Sequence, residues 1–174
     1  MSAKLAHEIR KQNPFDAAEQ EAFLNLQKTA DALAADMADV LRPSGLSPTQ
    51  YNVLRILRGV GSYGLPLGEI GQRMITRDPD LTRLVDRLEK RKLVARNRCD
   101  KDRRRVYGRI TDDGLTLLAS LDAVVLDAHR RQLGHLGPER LQQLIALLED
   151  ARARVCDGRH DEDPDAPCTG ASGG

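Results

Sequence analysis

The chain has no tryptophan and only five aromatic residues, Phe15, Phe23, Tyr51, Tyr63 and Tyr107. Leu, Ala, Val and Ile must therefore build the core, which favours packed helices over a β-sandwich. Cysteine is scarce too. Cys99, Cys156 and Cys168 are odd in number and scattered, which excludes a disulfide framework and fits a reducing compartment. No stretch approaches the roughly 18 apolar residues of a membrane span, and the first residues form no apolar signal segment, so a cytoplasmic protein is expected. There is no phosphate-binding glycine loop, and no phrase pairs a Ser or Cys with a His and an orienting third group. Neither an enzyme nor a cofactor is expected.

Charge is present in abundance but unevenly. The total is +1 over 174 residues, yet residues 77–109 hold thirteen Lys/Arg against six Asp/Glu, a local balance of +7 that leaves −6 for the remainder. A patch of one sign attracts polyanions, whereas the average near zero says little about partners. The patch coincides with two β-prone runs, Leu93-Val94-Ala95-Arg96 and Val106-Tyr107-Gly108-Arg109-Ile110, which flank a turn crowded with arginine. Before them, Leu81, Leu84, Val85 and Leu88 recur at helical spacing and leave arginines on another face. A polar helix joined to a basic hairpin suggests a reader of duplex DNA.

The fold class expected is mainly α with a small β-hairpin wing. Pro14 to about Leu41 reads as a long helix, because Leu26, Ala30, Leu33, Met37 and Val40 recur at spacings of four and three in a coiled-coil-like seam. Arg42-Pro43-Ser44-Gly45 breaks it. Ser47-Pro48-Thr49-Gln50 then supplies an N-cap, a Pro at the first helical position and a Gln placed for a capping box, opening a helix to about Arg58. A short strand at Leu65-Pro66-Leu67 and a helix from about Gly68 to Met74 follow; that helix is the positioning helix of a helix-turn-helix. Asp78 is the expected cap of the next helix, with Pro79 at its first position, Asp80 complementing its positive end, and Lys90, Arg91 and Lys92 near its negative end.

Thr111-Asp112-Asp113-Gly114 opens a fifth helix bearing Leu117, Leu118, Leu121, Val125 and Ala128. A break at Gly134 to Pro138 precedes a sixth bearing Leu141, Leu144, Ile145, Leu148, Ala151 and Val155. Helices this long with apolar stripes need a partner, since a small lobe cannot cover both ends. The division expected is 1–45 for an N-terminal dimerisation helix, 46–113 for a winged helix-turn-helix lobe, 114–156 for C-terminal dimerisation helices, and 157–174 for an acidic, disordered tail almost without apolar residues.

Three phrases carry a family resemblance: Leu46-Ser47-Pro48-Thr49-Gln50, Leu81-Thr82-Arg83-Leu84-Val85-Asp86-Arg87-Leu88-Glu89, and Asp102-Arg103-Arg104 followed by Ile110-Thr111-Asp112-Asp113-Gly114. In this order and spacing they resemble the MarR family of bacterial winged-helix regulators, by motif over roughly Leu46 to Leu121 and by pattern in the flanking helices. The resemblance implies a homodimer in which the first, fifth and sixth helices interlock and place two lobes on double-stranded DNA at a palindromic operator. It further implies a repressor released by a small-molecule effector. The effector cleft would lie between the dimerisation helices and the DNA-binding lobe, where Tyr51 is the candidate lining residue.

The residue types divide the contacts. Arg83 and Arg87, four apart, share a helical face and suit guanine edges or phosphates, while Thr82 suits a phosphate or a thymine methyl. Either arginine has an alternative partner on its own helix in Asp80, Asp86 or Glu89. Arg77, just ahead of the helix, is expected to hold backbone. Asp102-Arg103-Arg104 matches the family's Asp-x-Arg, so Arg104 is similar to the arginine that enters the minor groove and Asp102 to the carboxylate that orients it; a guanidinium is drawn by the negative potential of a narrow groove. Arg103 and Arg105 are expected at phosphates. Half-sites would lie roughly 10 base pairs apart, and binding would weaken steeply with salt.

Two departures from the family pattern stand out. Lys92 occupies the position where the family has Gly at the close of the recognition helix, so a left-handed cap there would cost about 1 kcal/mol unless the helix ended differently. Asp78 and Asp80 place carboxylates at the helix end that faces DNA. Peroxide-sensing relatives carry a reactive cysteine on the first helix, and this chain has none there. Arg98 favours a thiolate at Cys99 while Asp100 and Asp102 oppose it, which makes a thiol-based redox response through Cys99 one alternative. The other is a winged-helix module that docks an acidic protein. Cys156 and His160, near Asp157 and Asp161, have ligand chemistry but no second pair of fixed ligands, and His129 and His135 straddle a helix end, so no metal site is expected.

Overall fold

The structure is a computed structural model, described over residues 4–76, 78–98 and 106–157. Seven α-helices and three strands lie within these residues: α1 (Lys4–Glu8), α2 (Ala18–Leu41), α3 (Pro48–Val60), β1 (Leu65–Pro66), α4 (Leu67–Arg73), α5 (Leu81–Lys90), β2 (Val94–Arg98), β3 (Val106–Ile110), α6 (Asp112–Leu133) and α7 (Gly137–Asp157). The short α1 was not expected from the polar start; it docks through Leu5, which is buried, and a Lys28–Glu8 ion pair of 3.5 Å. The long helix starts at Ala18 instead of Pro14; Ala17, in extended conformation, precedes it without a side-chain cap.

The lobe core is built from α3, α4, α5 and the sheet, with Val53, Leu54, Leu57, Ile70, Val85 and Leu88 fully buried. Ser47 caps α3 as expected: its Oγ accepts from the Gln50 amide at 3.2 Å, while Gln50 Oε1 accepts from the Ser47 amide at 3.0 Å. The sheet has the order β1-β3-β2 and is antiparallel throughout, with Val94 opposite Ile110 and Leu65 opposite Gly108. Pro66 sits on its edge strand, where a missing N–H costs no ladder bond.

Two termini of α5 differ from the expectation or resolve it. Asp80, not Asp78, is the N-cap, accepting from the Arg83 amide at 3.3 Å. Asp78 Oδ1 instead accepts from the Asp80 amide at 2.8 Å, a turn two residues long that keeps Pro79 outside the helix. At the other end Lys92 does adopt the left-handed conformation, φ 60°. Its amide donates to Glu89 O at 2.8 Å and the Leu93 amide to Leu88 O at 3.0 Å, a Schellman pair closed by the apolar contact partners Leu88 and Leu93, both buried. The Arg91 side chain then ties this end to the turn before α3, donating to Gly45 O at 2.7 Å and Ser44 O at 2.9 Å.

The wing is welded to α6 by a glycine. Thr111 caps α6, accepting from the Gly114 amide at 3.1 Å and donating its hydroxyl to Lys92 O at 2.6 Å. A Cβ on Gly114 would lie 2.4 Å from Leu93 O, so only glycine allows this approach.

Beyond the lobe, α6 buries Leu118, Leu121, Val125 and Ala128, while the apolar stripes of α2 and α7 are left largely uncovered. On α2 only Leu41 is buried, Phe23 and Leu26 are exposed, and no residue of α7 from Gly137 to Ala153 is buried.

Candidate nucleic-acid interface

Helix α5 buries Leu84, Val85 and Leu88 and exposes Thr82, Arg83, Arg87 and Lys90 on the opposite face. Its apolar and polar residues thus segregate at helical period, which fixes which side is available to a ligand. Arg83 leans back on its cap, with Nε 3.1 Å from Asp80 Oδ2, the pairing that the sequence left open. The carboxylates of Asp86 and Glu89 are engaged elsewhere. Arg96, on β2, places Nη1 2.6 Å from Asp86 Oδ1 and Nε 2.8 Å from Glu89 Oε2, with Nη2 also on Glu89. The bond to Glu89, reinforced by both negative charges against partial desolvation, raises the Arg96 pKa above its ordinary value. Among the described residues no carboxylate pairs with Arg87. Ser47, Thr49 and Gln50 at the start of α3 face Arg83 and Arg87 across a polar hollow of about 80 Å³.

The sequence placed Arg77, Cys99, Asp102, Arg103, Arg104 and Arg105 around this face; all six lie outside the described residues. The strands that bracket the wing tip are described, with Arg98 in register with Val106 at their ends. Arg96 was not singled out from the sequence. Its partners lie seven and ten residues away on another element, a spacing that no helical or strand period flags.

A second polar cluster joins α3 to α6. Arg58 forks onto Asp122, Nη1 to Oδ2 and Nη2 to Oδ1 both at 2.8 Å, while Arg55 Nη1 stands 3.9 Å from the same carboxylate. Tyr51, half-buried against the core, accepts from Arg55 through its hydroxyl at 3.2 Å, and the Arg55 guanidinium lies 5.9 Å from its ring centre. The Arg58 bond holds the Asp122 carboxyl below the usual carboxylate range, and the same bond raises Arg58. Tyr51, Arg55 and Arg58 share a helical face by spacing, which the sequence displayed, but their link to Asp122 spans 64 residues. No group of three His, Cys, Asp or Glu suited to a metal stands among the described residues.

A family model described as the MarR family matches residues 44–105, the span from the turn before α3 to the wing. Over 141 residues the chain is 30% identical to the HTH-type transcriptional regulator YkoM of Bacillus subtilis strain 168, covering 79% of this chain and 90% of that one. The chain belongs to the MarR family. The crystal structure of a MarR transcription factor from Planctomyces limnophilus is 43% identical and superposes with a TM-score of 0.63 over 78% of this chain and 98% of the other. The structure of the S. aureus MepR–DNA complex shares the fold at 20% identity, TM-score 0.68, over 74% and 94%. This MarR-family chain is accordingly a DNA-binding transcriptional regulator, with α4 and α5 as its helix-turn-helix and β2 and β3 as its wing. No described helix is long and apolar enough to cross a membrane.

Proposed function

We propose that this MarR-family regulator works in the cytoplasm as a homodimeric repressor on a palindromic operator and lets go when a small molecule binds. The observation that carries the dimer is the uncovered α7, whose Leu141, Leu144 and Leu148 are only half-buried and whose Ile145 and Leu147 are exposed. A second copy of the chain supplies the missing cover for α2, α6 and α7. Two copies then present two α5 faces, and Thr82, Arg83 and Arg87 enter successive major grooves about one helical turn apart.

Arg77 holds the backbone ahead of α5. Arg104, oriented by Asp102, reaches the minor groove from the wing, and Arg103 and Arg105 neutralise phosphates. The effector acts at the α3–α6 junction around Tyr51, where a change in the Arg58–Asp122 link alters the separation of the two lobes. A domain division at 45/46 and 113/114 separates these tasks, with 157–174 outside both.

The test is selection of duplexes from a random library by the purified protein, followed by titration of the best duplex at two salt concentrations. A palindrome whose affinity falls steeply with salt supports the proposal. Enrichment of nothing by a folded, dimeric protein overturns it. On that duplex, Arg104→Ala is expected to weaken binding by about tenfold, about 1.4 kcal/mol, and most at A·T-rich flanks; unchanged affinity removes Arg104 from the interface.

A further inference from the structure

The recognition helix carries its own opposition. Within α5, Arg83, Arg87 and Lys90 share ten residues with Asp86 and Glu89. On a helix whose carboxylates were free, Asp86 would find Arg83 three residues before it and Lys90 four residues after it, both standard intrahelical partners. Arg83 is already held by Asp80, so a free Asp86 would withdraw Lys90 from the face that meets a polyanion and would set a carboxylate beside the phosphates.

The structure shows a different arrangement. Arg96 reaches from β2 across a full turn of α5, one guanidinium nitrogen on Asp86 at 2.6 Å and the other two on Glu89, one of them at 2.8 Å. Its side chain is 26% exposed, less than either carboxylate at 38%, so the cation sits beneath them and not on the outer surface. A planar fork with five donors spread over three nitrogens suits this double engagement, whereas an ammonium is a compact point charge without that spread. Strand β2 is itself held in register by β3, with Arg96 opposite Gly108, which gives the guanidinium a fixed base.

We propose that Arg96 is a positioning residue for DNA readout: it serves as an internal counter-charge that draws Asp86 and Glu89 toward the wing, away from Lys90 and from the exposed Arg87, neither of which has a carboxylate partner among the described residues. The same contacts couple the wing to the helix, so major-groove and minor-groove elements share one rigid base. This rests on the DNA-binding reading above. Arg96 touches no base or phosphate in this role; it acts through the cations that do.

Four proteins test it, each checked for helix content and dimer mass: the parent, Arg96→Gln, Asp86→Asn/Glu89→Gln, and the triple variant that combines them. The probe is the duplex that the parent itself enriches from a random library, titrated over a range of salt. Arg96→Gln is expected to bind about tenfold more weakly, with a salt slope shallower by about one per lobe, because freed carboxylates replace phosphates as partners of the helix cations. The triple variant is expected to regain both affinity and slope to within about threefold, since the carboxylate charges are gone with the arginine. A purely structural brace would not be rescued this way.

Binding by Arg96→Gln within about threefold of the parent overturns the inference, as does a triple variant no better than Arg96→Gln. Where Arg96→Gln does not fold, Asp86→Asn/Glu89→Gln decides: affinity within about threefold of the parent, or tighter, supports the counter-charge, and weaker binding overturns it. A parent that enriches no duplex defeats the DNA-binding reading itself, a result distinct from a parent that binds while its variants fail to separate.

Discussion

Lys92 shows how a single residue records a compromise between local strain and what the surrounding fold requires. Its φ of 60° is a conformation that costs an L-residue roughly 1 kcal/mol, yet the Schellman pair and the Thr111 bond to Lys92 O both need the chain to turn there. Lys92→Gly is therefore expected to stabilise the protein by about 0.5–1 kcal/mol, read as a higher urea midpoint at unchanged slope. Gly114 is the opposite case. An added methyl would stand 2.4 Å from Leu93 O and 2.7 Å from Ile110 Cγ1, between the wing's root and the first turn of α6. Gly114→Ala should cost about 1–3 kcal/mol and lower the thermal midpoint, since backbone on one side and a buried Ile on the other leave little room to yield.

At the scale of elements, the junction of α3 with α6 depends on the fork between Arg58 and Asp122. Because that bond lowers the Asp122 pKa in the folded state, its contribution is fully present above the ordinary Asp pKa of about 3.9 and is lost as pH falls through the lower, folded value. Asp122→Asn should therefore lower the urea midpoint at pH 7, and the gap between variant and parent should close as pH falls below about 4. A gap that persists unchanged at pH 3 would mean that the amide disrupts packing and that the charge contributes nothing. The partners are part-exposed, so screening by solvent keeps the effect modest.

For the molecule as a whole, the uncovered faces of α2 and α7 set the assembly. Exposed Ile145 and Leu147 lie on a helix with no buried residue as far as Ala153, so a substitution there leaves the single chain's core untouched while damaging whatever covers it. Ile145→Asp is expected to weaken dimerisation at least tenfold, the equivalent of losing about 1.5 kcal/mol of apolar burial. Sedimentation equilibrium measures it directly, and DNA affinity should fall in step because one lobe alone holds one half-site.

Much of this organisation was written in periodic, local signals. The apolar spacing of α5, the Ser47 capping box, the breaks at Arg42-Pro43 and Gly134, and the basic run around the wing all involve residues within a turn or two of each other, whose geometry the backbone alone imposes. The misplaced start of α5 was local too, but Asp78 and Asp80 are chemically equal caps, and only the turn that Asp78 makes with the Asp80 amide separates them. What tertiary structure decided are the pairings between elements. Asp86 and Glu89 turn to Arg96 instead of their helical neighbours, Asp122 takes Arg58 from 64 residues away, and Thr111 at the cap of α6 donates to Lys92 O. By itself the sequence determined the helices, their faces and the sign of the charge. Which carboxylate neutralises which cation depended on distances set by packing, and packing brings together residues that no period in the chain relates.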